Sequence, residues 1–221
     1  MLFDCGHNEQ TGFRPSDYLV SHGCTGIEHL IVQNFDQDHV SDLPNVLEKL
    51  PVTLFFRNRS FTPDQLTTMK QESGPLTDAM ESAINMHRTY IYEITNPPPF
   101  PNIDFTVFHN DYPIFTDTNN LSLVSFVVYD GIGITFSGDL EKAGWTELLK
   151  NASFRANLAC NLLDQDRNLC GLKATGTRLA RSIGGMQAIG LSRRMPELAG
   201  SCLATTGSSI SRVTGKAIAV A

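Results

Sequence analysis

The chain has 221 residues, of which 41% are hydrophobic and 18% charged, and its net charge is −6. That length suits one domain, or a domain with a tail, and is enough to bury a core without staples. The acidic balance gives no strong nucleic-acid signature, and no apolar run approaches the ~18 residues that would span a membrane.

The average charge conceals a split. Residues 1–166 hold nine Lys/Arg against 22 Asp/Glu, a net of −13; residues 167–221 hold eight against one, Glu197, a net of +7, and together these make −6. Phe154 is the last aromatic and His109 the last histidine. Aromatics supply much of a core, so a domain over residues 1–158 followed by a basic, aromatic-free tail over 159–221 is expected. Five cysteines form no CxxC pair and their number is odd, which favours a reduced, cytoplasmic setting over a disulfide scaffold.

In chain order, Met1 to His7 reads as the end of a buried strand entering a glycine turn. Residues 28–35 have the β-branched apolar centre of a covered strand. Asp36 to Asp42 reads as a polar loop. Val40, Leu43, Val46, Leu47 and Leu50 then recur at helical steps, with Pro44 near the first turn. Leu76, Ala79, Met80, Ala83, Ile84, His87 and Ile91 form one apolar stripe, a helix over 76–91 that stops before the proline-rich residues 97–101. Leu121–Tyr129 and Ile132–Ser137, parted by Asp130-Gly131, read as a hairpin. A helix through Trp145, Leu148 and Leu149 follows Gly138-Asp139. Strands alternating with helices plus one hairpin define an α/β layered fold.

Chemistry is expected at two strand ends, Asp36-Gln37-Asp38-His39 and Gly138-Asp139. Metal sites gather several O and N donors from different elements. Asp36 and Asp38 alternate, His39 adjoins them, and Gly138 allows the sharp bend that sets Asp139 at the sheet edge. The plainer alternative is a solvated acidic turn before a helix. Among the other histidines, His87 reads as a packed or rim residue, His7 as a turn residue, and His22 and His29 as surface positions. Arg155 reads as a helix cap.

Residues 30–40, Leu-Ile-Val-Gln-Asn-Phe-Asp-Gln-Asp-His-Val, resemble the signature loop of the metallo-β-lactamase superfamily, usually HxHxDH. The form with Asp in the second ligand position is similar to the hydrolase-like domain of bacterial DNA-uptake (competence) proteins and their stand-alone relatives. Leu2-Phe3-Asp4-Cys5-Gly6, Asn119 to Val124 and Phe136 to Glu141 resemble three further superfamily elements in the expected order. The resemblance implies a metallo-β-lactamase-like αββα sandwich lacking its first strands and altered in its C-terminal half. It implies Asp36, Asp38, His39 and Asp139 as metal ligands, with Asp139 bridging and Asp38 also orienting or deprotonating the attacking water. One or two divalent ions, Zn²⁺ or Mn²⁺, would serve hydrolysis of a small-molecule, phosphodiester or nucleic-acid substrate.

Two departures weaken that site. Asn34 stands where the first histidine is expected, and no Ser-His-His-Gly element follows Asp139. A carboxylate-rich set holds its ion weakly, with Asn34 and His109 as the additional donors on offer. The stretch Gly200 to Gly207 can be encoded so that a two-base shift reads Phe-Val-Pro-Ser-His-His-Gly. A shifted reading frame and a flexible extension therefore both stand as accounts of the tail. A non-catalytic remnant, or a binding module on the same scaffold, is the alternative function.

Overall fold

Alternation along the strands decides what each side chain faces, and here it sorts three separate cores. The computed structural model describes residues 1–94, 97–100, 102–129, 132–160, 162–163 and 218–219. Strands β1 (Leu2–Phe3), β2 (Ile27–Ile31) and β3 (Val52–Phe56) form one sheet with β8 (Ile218–Ala219), in the order β3-β2-β1-β8. Strands β4 (Ile103–Phe108), β5 (Val124–Tyr129), β6 (Ile132–Phe136) and β7 (Leu162–Leu163) form the second in sequence order. The first three strands pair in parallel, as their helical connections require, and β4-β5-β6 is an antiparallel meander.

Leu2, Leu30 and Phe55 face one way, into a core shared with α1 (Pro15–Ser21), α2 (Gln37–Val40), α3 (Leu43–Lys49), α4 (Pro63–Gln71) and α5 (Asp78–Thr89). Their neighbours Phe3, Ile31 and Phe56 face the other way and meet Ile103, Val127 and Phe136 of the second sheet. Phe3 stacks on Phe136 at 4.4 Å between centroids. On the far side, Val124 and Phe126 of β5 pack on Trp145 and Leu148 of α6 (Lys142–Leu148) and on Phe154 and Leu158 of α7 (Ala152–Cys160). The fold is a mixed α/β arrangement of two small sheets and flanking helices. Each fully buried Phe contributes roughly 1.5–3 kcal/mol, which is why these strands are rich in it. Among the described residues no helix is long and apolar enough to cross a membrane.

Several expectations from the sequence need adjusting. The strand foreseen over 28–35 ends at Ile31, and the polar loop of 36–42 contains a helical turn, α2, because Asp36 O accepts from the His39 N–H at 2.9 Å. The helix foreseen over 76–91 is α5: Thr77 accepts from the Met80 N–H at its start, and the chain leaves helical geometry at Tyr90. Ile91 therefore falls outside the apolar stripe and is 60% exposed. His29, expected at the surface, is buried against the rings of Phe56 and Phe100, since β2 is covered on both faces. His22 is exposed. Pro44 does sit in the first turn of α3, and Arg155 donates to the Leu149 and Lys150 carbonyls just after α6.

The hairpin strands pair as foreseen, with Tyr129 opposite Ile132; the Asp130-Gly131 turn itself lies outside the described residues. Among the described residues, the three cores fall within 1–158. Most of the basic tail, including Gly200 to Gly207, lies outside the described residues. Of its described residues, Ala159 and Cys160 end α7, while β7 pairs parallel to β6 and β8 antiparallel to β1.

Candidate metal centre

Four chain segments meet where β1, β2 and β6 end. β1 runs out at Asp4, which has a φ of 51° and turns its buried carboxylate back across β2. One oxygen, Oδ1, accepts from the Gln33 N–H at 2.7 Å; the other, Oδ2, lies 2.6 Å from His39 Nδ1. The next residues lock the same turn through the backbone: the Cys5 N–H donates to His39 O at 2.7 Å and the Asp42 N–H donates to Cys5 O at 2.8 Å. Gly6 has no room for a side chain, because a Cβ there would lie 1.8 Å from Asp38 O. The sequence Asp-Cys-Gly thus seats the Asp38–His39 turn atom by atom. Cys5 itself is a buried core thiol, and burial, followed by the charge of Asp4, pushes its pKa well above the ordinary value. It is no nucleophile.

The fourth segment comes from β6. Gly138 has a φ of +56°, and a Cβ there would press on Ser122 and Gln33 at 3.1–3.2 Å, so glycine suits the bend that delivers Asp139. Gln33 holds the two sheets in register at this point. Its Nε2 donates to Phe136 O at 2.6 Å and to Leu123 O at 3.0 Å.

The result is a group of three. Asp38, His39 and Asp139 each offer one ligand atom, and these lie within 4.8 Å of one another. His39 Nε2 is 3.3 Å from Asp139 Oδ2 and 4.0 Å from Asp38 Oδ1. Two metal bonds of ~2.1 Å allow ligand atoms up to about 4.2 Å apart, so both pairs are within reach of a common ion. His39 is 1% exposed, whereas the side chains of Asp139 and Asp38 are 26% and 58% exposed, so the group is anchored inside and opens outward.

The donor chemistry fits a divalent cation. With Nδ1 set against the Asp4 carboxylate, Nε2 is the ring nitrogen that faces the other two carboxylates. Three electron-rich atoms aimed at one point are compatible when a positive ion lies between them. One nitrogen and two oxygens form a borderline-to-hard set.

The other expected ligands are placed elsewhere. Asp36 lies outside the group of three, with its carboxylate against the Lys70 ammonium. Asn34 is buried and donates through Nδ2 to Asp36 Oδ2 at 3.2 Å and to Asn119 Oδ1 at 3.0 Å, while its own Oδ1 has no hydrogen-bond partner. Asn119 in turn donates to Glu141 at 3.1 Å. His109 is outside the group too; its Nδ1 is 3.2 Å from Asp111 Oδ1 and from Asn110 O. The His7 N–H donates to Ser41 Oγ at 2.8 Å, and its ring lies 3.9 Å from Glu9. His87 is a packed residue, as expected: Nδ1 accepts from Arg57 Nε and Nε2 donates to Phe61 O at 2.9 Å.

Sequence reasoning gave no role to Asp4 or Lys70, which the structure sets against His39 and Asp36. For Asp4 a signal existed, an Asp at a strand end just before a Cys-Gly turn. For Lys70 none did, since it is an ordinary lysine in the last turn of α4. No protein-family model, curated protein or solved structure matches the chain.

Proposed function

We propose that the chain is a metal-dependent hydrolase-like protein of the metallo-β-lactamase kind, acting on a phosphodiester or a small ester. The observation that carries this is the meeting of His39 and Asp139, 100 positions apart, on either side of the point that Asp38 also borders. The order of helices, sheet, sheet and helices around three cores supports the αββα reading.

Asp38, His39 and Asp139 would hold the ion, Zn²⁺ or Mn²⁺, which when bound supplies a Lewis acid for polarising the scissile group and acidifying water. The chain's own residues do the rest. Asp4 fixes the tautomer and orientation of His39. Asp38 is the most exposed of the three, which sets its carboxylate at the outer side of the group, where it would orient water or accept its proton. Asp36 is held away from that task by Lys70.

A second reading is a binding module on the same scaffold. The pairing of Asp36 with Lys70 favours it, because that pair uses a carboxylate which a two-ion hydrolase would need free.

The experiment is Mn²⁺ and Zn²⁺ titration of the purified chain by calorimetry, beside turnover of an activated phosphodiester. Binding that Asp139→Ala removes, together with metal-dependent turnover, is the expected result. Binding without turnover selects the module. No binding, or binding that Asp139→Ala leaves intact, ends the metal-centre reading.

A further inference from the structure

The 36–39 turn carries two carboxylates, Asp36 and Asp38, and Asp4 and Asp139 bring two more to the same end of the sheets. That density of negative charge calls for cations, and one is supplied by the chain itself. Lys70 reaches the turn from the end of α4 with its side chain 4% exposed, so its ammonium is removed from water almost completely. Such a charge is tolerated only when its donors are used. It contacts Asp36 Oδ1 and donates to Thr118 Oγ1 at 2.7 Å.

The opposite oxygen, Asp36 Oδ2, is taken by the amide of Asn34. Both oxygens of Asp36 are therefore engaged by donors, one of them a full positive charge. A carboxylate so engaged is a poor ligand, and a second ion brought to it would be repelled by Lys70. Asp38, His39 and Asp139 are the three whose ligand atoms gather within 4.8 Å of one another.

We propose that Lys70 is a built-in cation: it neutralises Asp36, excludes an ion from that place, and restricts the centre to a single divalent ion at Asp38, His39 and Asp139. The inference rests on the metal-centre reading and adds its stoichiometry. Lys70 is here a positioning residue, acting through Asp36 and not on substrate.

The test is a Mn²⁺ titration of the full chain, with free Mn²⁺ read by electron paramagnetic resonance and folding checked by circular dichroism. The wild type binds one ion. Lys70→Met frees Asp36 and takes up a second, weaker ion. The double variant Asp36→Asn with Lys70→Met, which removes both charges and serves should the single variant fail to fold, binds one ion within about threefold of wild-type affinity. Two ions in the wild type, a single ion in a folded Lys70→Met, or a tenfold or greater loss in the double variant overturns the inference and leaves the metal centre standing. No ion in the wild type overturns the centre itself, and the inference with it.

Discussion

Asp4 Oδ2 lies 2.6 Å from His39 Nδ1, across 35 positions of sequence, and both side chains are almost fully buried. The pair joins the end of β1 to the turn after β2, and it turns the other ring nitrogen outward to Asp139. Replacing Asp4 with Asn keeps its shape but loses the negative charge that faces His39 Nδ1. Metal affinity is expected to fall about 10–100-fold, with little change in the melting curve. Calorimetric titration of Asp4→Asn beside wild type checks this, and equal affinities would show that the contact only stabilises the turn.

Gly6→Ala drives a methyl group into the Asp38 carbonyl, a backbone atom that cannot rotate aside. The turn bearing Asp38 and His39 must move or the strand end must, at a cost of roughly 1–3 kcal/mol. Urea denaturation reads the cost, and metal titration reads the displaced ligands. A variant as stable as wild type, with an intact centre, would mean that the turn yields more easily than its hydrogen bonds indicate.

Gln33→Ala removes both hydrogen bonds that tie the segment after β2 to the Leu123 carbonyl, just before β5, and to the Phe136 carbonyl of β6. Buried carbonyls left without donors cost about 1–3 kcal/mol together with the lost bonds. The sharper expectation concerns geometry: Asp139, three residues beyond Phe136, loses its reference to His39. Metal affinity should fall along with stability. A stability loss with unchanged affinity would show that Gly138 alone places Asp139.

Stability should decline on mild acidification. Burial, partly offset by the Phe61 carbonyl and reinforced by Arg57, lowers the pKa of His87 to about 4, against about 6.5 when unfolded. The folded chain keeps this ring neutral and the unfolded chain protonates it, so its contribution is complete above pH ~6.5 and is lost as pH falls toward 4. His29, whose pKa burial also lowers, acts in the same direction. Allowing for solvent screening, His87 accounts for no more than about 2 kcal/mol over that window. Denaturant unfolding between pH 7 and 4.5 should show a shallower decline for His87→Gln, which can still accept from Arg57 and donate to Phe61. Equal slopes for the two proteins would remove His87 from the account.

Local signals made much of the fold legible. Asp130-Gly131 between two apolar runs marked the β5-β6 hairpin, and Pro44 with its spaced valine and leucines marked α3, because both are encoded within a few residues. α4 was passed over although Thr62 and Gln65 form a capping box at its start, a signal written in the sequence. His29 looked like a surface residue beside the exposed Glu28, and the rings that cover it, Phe56 of β3 and Phe100 before β4, are distant in sequence. The candidate site divides in the same way. Asp38, His39 and Asp139 stood out at strand ends, whereas the engagement of Asp36 depends on where α4 lays its last lysine. Tertiary contacts of that kind leave no local trace.

The outer strand of the first sheet, β3, is flanked by the segment that follows α5. The Tyr90 hydroxyl donates to Val52 O at 2.7 Å, and Arg59 holds the carbonyls of Ile91 and Tyr92, so this irregular segment runs beside the strand. It also lines a cavity of about 400 Å³ with Thr53, Leu54 and Phe55. An uncovered β edge is a template on which another molecule can lay its own strand, and repeated additions build a fibril. Here the template is interrupted at its first carbonyl and screened by a segment with no ladder to offer. A strand arriving at that margin would have to displace the Tyr90 hydroxyl before it could pair with Val52.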